Sequence, residues 1–190
     1  SFLYKIFENE FSVRLIFCFI AIIIPFLFYK NLRIKFREIC RGKLLIISSI
    51  LLILPFFRSS AIWPNPHVTA LIFLFLSIYY FQKWEIKLSK KINFDLILHI
   101  FFLALTVYTR RYYVFFFLYF YIFYFKNLNI KELVVITLFI FFLSIPGFLL
   151  ILYFPFYIES TGYNFKFYNT IIITSSIFLF YLVPFLSVDN

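Results

Sequence analysis

The sequence predicts an all-α fold: a polytopic transmembrane helical bundle of about seven spans that forms one domain over residues 1–190. Three observations predict it, namely the composition, a series of long apolar runs, and the alternation of basic residues among the connections between those runs. Of the 190 residues, 64% are hydrophobic and 14% are charged, and the mean hydropathy is +0.98. Soluble domains are roughly 45–50% apolar and about 25% charged, so the composition excludes a soluble fold.

Seven apolar runs are the predicted spans. They lack the polar–apolar alternation over about ten residues that a membrane β-barrel needs, and a helix satisfies its backbone hydrogen bonds within the segment. The run 44–57 has 14 residues and would reach about 21 Å against roughly 30 Å of hydrocarbon, so flanking residues are expected to extend it. In order, the runs are 11–29, 44–57, 68–82, 95–109, 112–125, 133–153 and 169–187.

Prolines and one acidic residue mark several boundaries of these runs. Pro55 lies near the end of the second run and Pro66 precedes the third. Because proline and the residue before it favour helix ends, both positions predict helix boundaries. Asp95 opens the fourth run beside Asn93 and resembles a helix N-cap. Pro25 and Pro146 lie deeper in their runs and predict kinks.

Basic residues collect on alternate connections and predict the orientation of the bundle. The connections 30–43, 83–94 and 126–132 hold 12 of the 18 Lys and Arg residues. Cytoplasmic loops keep an excess of Lys and Arg, so these three connections are predicted to lie inside and the others outside. The chain is therefore predicted to be an integral protein of the cytoplasmic (inner) membrane or of the endoplasmic reticulum, with membrane lipids as partners.

Other ligand classes are not indicated. The net charge of +10 does not predict a nucleic-acid partner, because the cations are dispersed over loops rather than gathered on one face. Two His and two Cys residues are scattered over different spans, so no metal site is expected. The three glycines form no phosphate-cradling loop, and no cofactor is predicted.

One predicted outward turn gathers Arg58, Trp63 and His67. A guanidinium can donate two parallel hydrogen bonds to a phosphate and stays charged at any relevant pH. Trp63 offers an aromatic plate for a sugar, and His67 offers a titratable imidazole. The alternative is that Arg58 extends to lipid head groups and Trp63 belongs to the interfacial aromatic belt.

A second predicted outward turn carries Arg110 and Arg111 with almost no spacer between two apolar runs. Two adjacent charges repel each other, and a bound phosphate or pyrophosphate would relieve that repulsion. Adjacent helical residues point about 100° apart, so one guanidinium is expected to face a pocket and the other lipid. Glu159, the only carboxylate of the loop 154–168, is the local candidate for a general base, with a solvated surface residue as the alternative.

Three segments resemble, in order, the GT-C superfamily of integral membrane glycosyltransferases. They are residues 10–15 (EFSVRL), 54–61 (LPFFRSSA) followed by 70–76 (ALIFLFL), and 109–113 (TRRYY). The resemblance covers roughly residues 10–125. It implies transfer of a hexosyl group from a polyprenyl- or dolichyl-phosphate-linked donor to a glycan, lipid or protein acceptor on the outward face, as in cell-envelope glycan biosynthesis.

The resemblance also implies roles for particular residues. Arg58 and either Arg110 or Arg111 would stabilise the phosphate leaving group as charge grows on its oxygen. The catalytic Asp of the family lies in the first outward loop, which would fall upstream of Ser1, so the chain is expected to be a piece of a longer protein. The turn 58–67 lacks the carboxylate that the family often carries there and offers Asn65 and His67 instead.

Two other functions compete with this interpretation. An O-antigen polymerase or ligase also uses outward arginines on a lipid-pyrophosphate substrate, although such proteins usually carry a longer outward loop than 154–168. A lipid-glycan flippase or a membrane scaffold would use the cations for transport or anchoring alone.

Overall fold

A computed structural model describes residues 10–54, 57, 62, 66–87 and 91–153 of the chain. Within these ranges the regular structure is six α-helices and one turn of 3-10 helix, with no strand. The helices are α1 (Glu10–Lys35), α2 (Arg41–Ile53), α3 (Pro66–Ile86), α4 (Phe94–Thr109), the 3-10 turn (Arg111–Tyr113), α5 (Val114–Asn127) and α6 (Ile130–Tyr153). The chain divides into two compact units, Ser1–Gly147 and Phe148–Asn190, and the contacts given below lie within the first.

The all-α prediction is confirmed for the described residues, where each of the first six predicted runs coincides with a helix. The run 169–187 lies outside the described residues. Two helices are shorter than their runs at one end, while the other boundaries lie at or beyond the ends of the runs. α2 ends at Ile53 because Leu54 is extended, with φ −60° and ψ 121°, as the proline after it requires. α5 begins at Val114 because the residues before it form the 3-10 turn.

The predicted cap of α4 is wrong by two positions. The first helical residue is Phe94, so the N-cap is Asn93, whose side-chain oxygen accepts a hydrogen bond from the Leu96 backbone N–H at 3.0 Å. Asp95 instead lies in the first turn of α4 and pairs with Lys87. A carboxylate in the first turn is stabilised by the positive end of the helix dipole without acting as the cap.

Two of the described helices are long and apolar enough to cross a membrane. They are Phe11–Lys35, with a mean hydropathy of 2.5, and Ile130–Leu149, with 2.3. The second helix is mostly exposed and presents large apolar side chains such as Phe141 and Phe142, which are 66% and 67% exposed. Such a surface is favourable in lipid and costly in water. These helices indicate membrane association by length and composition.

Two groups of buried apolar side chains hold the described helices together. The larger group joins α3, α4 and α5 with one residue of α6, and the smaller joins α1 to the start of α3. The larger group is Leu74, Phe81, Trp84, Leu96, Ile100, Leu103, Phe120, Tyr124 and Ile136. The smaller group is Ala21, Ile24, Phe57 and Val68.

A reciprocal pair of polar side chains locks α3 to α4 inside the larger group. The Ser77 hydroxyl donates to the His99 carbonyl at 3.1 Å, and His99 Nδ1 lies 2.9 Å from the Ser77 carbonyl and 2.7 Å from the Ser77 hydroxyl. A carbonyl can only accept, so Nδ1 carries the hydrogen. Both residues are fully buried, and their polar groups are largely satisfied by each other.

The packing brings the three basic connections to one end of the bundle. The last turns of α1 and α3 and the first turn of α2 line one cavity. Trp84, near the end of α3, donates to the Lys91 carbonyl at 3.0 Å, and its ring centroid lies 6.0 Å from that of Tyr124 on α5. We call this end, formed by connections 30–43, 83–94 and 126–132, the basic end. The start of α3 and the turn 110–113 form the opposite end, called the arginine end.

Candidate functional site

The arginine end is organised around the turn that follows α4. The backbone N–H of Arg110 donates to the Thr106 carbonyl at 2.9 Å, and the N–H of Tyr113 donates to the Arg110 carbonyl at 3.2 Å. Arg110 itself is extended, with φ −149° and ψ 108°. Because the N–H and the carbonyl of Arg110 are both hydrogen-bonded, its backbone is held in place. The backbone thus fixes the position of Cα and Cβ, from which the half-buried side chain extends.

His67 lies beside this turn although it is far from Arg110 in sequence. It is the second residue of α3, after Pro66, which suits the first helical position because proline has no N–H to leave unpaired. Burial of the imidazole, and to a smaller extent the positive charge of Arg110, lowers the pKa of His67 below its ordinary value of 6.5. His67 precedes the predicted span 68–82, and its lowered pKa favours the neutral imidazole. A neutral imidazole suits a sugar hydroxyl better than a phosphate, since one nitrogen donates and the other accepts.

The local electrostatics at the arginine end favour an anion. α3 and the 3-10 turn leading into α5 both begin at this end, and none of the three helical segments there has an acidic residue in its first turn. The N-terminus of an α-helix carries roughly half a positive charge, which attracts negatively charged groups, while the C-terminus of α4 beside Arg110 carries a comparable negative charge that offsets one such start. The Arg110 guanidinium adds a full charge to the same region.

The structure brings together two of the five predicted binding residues. Arg110 and His67 interact electrostatically. Arg111 begins the 3-10 turn, while its side chain, Arg58, Trp63 and the candidate base Glu159 lie outside the described residues. In the described part of the chain, no three His, Cys, Asp or Glu residues converge to hold a metal ion.

A contact that sequence reasoning missed joins the end of α4 to α6. The Tyr108 hydroxyl donates to the Leu143 carbonyl and accepts a hydrogen bond from the Gly147 backbone N–H at 3.2 Å. In an α-helix that N–H also points toward that carbonyl, so the Tyr108 hydroxyl contacts the donor and the acceptor of one step in the hydrogen-bond ladder of α6. Pro146 lies beside this point and removes a ladder bond.

Gly147 makes this close approach of Tyr108 possible. A Cβ at position 147 would lie 2.8 Å from Tyr108 Cε1, closer than carbon atoms pack. The Pro146–Gly147 dipeptide was the sequence signal for an irregular point in the sixth run, but nothing in the sequence indicates which tyrosine fills it. Tyr108 lies two residues before Arg110, so this contact also restrains the arginine end.

Comparison of the chain with protein-family models, curated proteins and solved structures finds no match. In the part of the chain that the structure describes, the fold is all-helical, with two helices long and apolar enough to cross a membrane.

Proposed function

We propose that this protein is an integral membrane glycosyltransferase of the GT-C type. It transfers a hexosyl group from a polyprenyl-phosphate-linked donor to a glycan, lipid or protein acceptor. In this proposal the bundle has seven spans, the basic end faces the cytoplasm, and the arginine end faces outward from the inner membrane or the endoplasmic reticulum membrane. The observation that carries the proposal is the convergence of Arg110 and His67 at the end opposite the basic connections.

The chemistry of the reaction explains why a cation is needed at this end. Breaking the bond between the anomeric carbon and the phosphate oxygen leaves negative charge on the polyprenyl phosphate. Preorganised positive groups lower the barrier most when they are aimed at the atom where charge develops. Arg110 supplies such a group, with Arg58 and Arg111 as the proposed additional cations.

The lowered pKa of His67 supports a role toward a different part of the substrate. A protonated imidazole would compete for the phosphate, whereas the neutral ring exchanges hydrogen bonds with sugar hydroxyls. Trp63 would add an apolar plate for the sugar ring. His67 is therefore proposed to orient the sugar while Arg110 holds the phosphate, and Glu159 remains the candidate in this chain for the base that takes the acceptor proton.

The orientation of the bundle is supported by the charge distribution. The three basic connections carry 12 of the 18 Lys and Arg residues, and they share one end. Lys- and Arg-rich loops stay on the cytoplasmic side during insertion, so the arginine end would face outward, where lipid-linked sugars are used in this superfamily.

The proposal is tested by sugar transfer in membranes that contain the full-length protein. Arg110→Gln is expected to reduce transfer from polyprenyl-phosphate mannose or glucose by about 10²–10³-fold, the usual cost of removing one transition-state donor. Arg110→Lys should retain part of the rate, because the charge remains while the paired hydrogen bonds are lost.

Arg33→Gln is the matched control, since it removes the same charge at the basic end. Wild-type rates in both Arg110→Gln and Arg111→Gln would rule out the proposed role of this turn. Movement of lipid-linked glycan across the membrane without sugar transfer would instead favour the flippase.

A further inference from the structure

The basic end contains a cavity of about 740 Å³, within the usual range of roughly 300–1,000 Å³ for small-molecule sites. Its cations come from the last turns of α1 and α3, from the connection 36–40, and from the first turn of α2. They are Lys30, Arg33, Arg37, Arg41, Lys83 and Lys87. We call this cavity the basic groove.

The charge of the basic groove is not balanced by the residues that line it. None of them is acidic, and Lys87 alone among its cations pairs with a described carboxylate, that of Asp95. Lys30 and Lys83 instead lie over aromatic rings, at 4.6 Å from the Phe26 centroid and 4.7 Å from the Tyr79 centroid. A ring orients a cation without cancelling its charge.

Neighbouring groups reduce the positive potential only in part. Glu38 and Glu85 line an adjoining cavity of about 650 Å³ rather than the groove itself. The C-termini of α1 and α3 each contribute roughly half a negative charge at this end. Five cations outweigh the two carboxylates and the two half charges together, so the groove favours an anion.

Apolar side chains flank these cations and identify the kind of anion. Ile34, Phe36, Ile39, Leu44 and Ile86 line the same groove, and Phe36, Ile39 and Ile86 are 46%, 40% and 48% exposed. A free phosphate or a nucleic-acid backbone gains nothing from exposed apolar neighbours. A phosphate that carries acyl chains gains on both counts, because its head group meets cations while its chains cover apolar surface.

We propose that the basic groove binds an anionic phospholipid of the adjacent leaflet. The phosphate would lie among Arg33, Arg37 and Arg41. The part of the acyl chains nearest the head group would lie against Phe36 and Ile39. This inference does not depend on the glycosyltransferase proposal, because it concerns the opposite end of the bundle and requires no sugar chemistry.

The test uses the full-length protein in a neutral detergent, titrated with phosphatidylglycerol and with phosphatidylcholine, with bound lipid counted by native mass spectrometry. Each basic residue near an anionic lipid surface contributes roughly a five-fold change in affinity. The triple variant Arg33→Gln, Arg37→Gln, Arg41→Gln should therefore weaken phosphatidylglycerol binding about a hundred-fold. All three side chains are exposed, so helical content by circular dichroism should be unchanged.

The matched control removes three exposed cations that do not line the groove, Lys43→Gln, Lys126→Gln and Lys131→Gln. It should weaken binding by less than about five-fold, the contribution of one cation. Equal losses in the two triple variants would overturn the proposal, since the effect would then be general surface charge. Equal binding of phosphatidylcholine and phosphatidylglycerol by the wild type would also overturn it.

A competition arm separates a lipid from free phosphate. Millimolar inorganic phosphate should leave phosphatidylglycerol bound, because it provides no apolar contact with Phe36 or Ile39. Displacement of the lipid by inorganic phosphate at comparable affinity would assign the groove to a soluble anion and contradict the proposal. The single variant Phe36→Ser, which keeps every cation, should lower lipid affinity while leaving the salt dependence of binding unchanged.

Discussion

Substitution of Gly147 by alanine should show how tightly α4 is fitted to α6. The new Cβ would lie 2.8 Å from Tyr108 Cε1, about 0.6 Å inside ordinary van der Waals contact. The tyrosine ring would have to move away, and its hydroxyl, farther from the backbone than Cε1, would move at least as much. The 3.2 Å hydrogen bond from the Gly147 N–H would then be lost.

The expected change in the free energy of unfolding combines opposing effects. Overpacking usually costs about 1–3 kcal/mol, and a hydrogen bond between membrane helices contributes on average about 0.6 kcal/mol. Alanine is favoured over glycine inside a helix by about 1 kcal/mol. The steric and hydrogen-bond losses are larger, so Gly147→Ala should destabilise the protein by about 1–2 kcal/mol.

A double-mutant cycle isolates this contact. In a Tyr108→Ala background the ring is absent, so Gly147→Ala should instead stabilise the helix by about 1 kcal/mol. The coupling between the two positions would be about 2–3 kcal/mol, measured by reversible unfolding in mixed micelles. Tyr108→Phe should cost only about 0.6 kcal/mol, the contribution of the hydroxyl's hydrogen bond, because the ring beside Gly147 remains. A coupling near zero, or equal effects of Gly147→Ala in both backgrounds, would refute the close approach.

Three further predictions concern the two ends and the core. Because the positive charge of Arg110 contributes to the lowered pKa of His67, Arg110→Gln should raise that pKa toward 6.5 in an NMR titration, while Arg33→Gln should leave it unchanged; a pKa that does not move in Arg110→Gln would disprove the pairing. Ser77→Ala removes the hydroxyl that joins α3 to α4 and should lower the free energy of unfolding by about 0.6–1.7 kcal/mol, whereas no change would mean that the hydroxyl contributes nothing. A membrane-impermeant maleimide should label Cys40 only from the cytoplasmic side, and a His67→Cys variant lacking Cys40 only from outside; the reverse pattern would invert the proposed orientation.

The helices were largely predictable from the sequence, because an apolar segment in lipid has to satisfy its backbone hydrogen bonds within itself and therefore forms a helix. Their ends were less predictable, since they depend on flanking residues outside the run. α1 continues beyond 29 to Lys35, where Asn31 donates to the Leu27 and Phe75 carbonyls at 3.0 Å each. A contact between α1 and α3 therefore stabilises helical turns that hydropathy alone does not indicate.

The candidate site was predictable as a set of residue types and not as a geometry. Arginines on outward turns stood out because the distribution of basic residues left them unexplained. The proximity of His67 and Arg110 depends on how α3 packs against α4, and the Ser77–His99 pair in the middle of those helices sets that packing. Neither Ser77 nor His99 belongs to a recognisable motif, so the sequence alone did not indicate their role.

Both ends of the bundle are cationic, yet the number of cations at each should make them bind anions differently. At the arginine end the start of α3 and the end of α4 lie on either side of Arg110, so the charges of these helix termini largely offset each other and the guanidinium carries the attraction. At the basic end six cations line one cavity. Single substitution of Arg110 is therefore expected to impair phosphate binding more than any single substitution in the basic groove, where the remaining cations still share the phosphate. The opposite ranking would show that anion affinity does not follow the number of cations at each end.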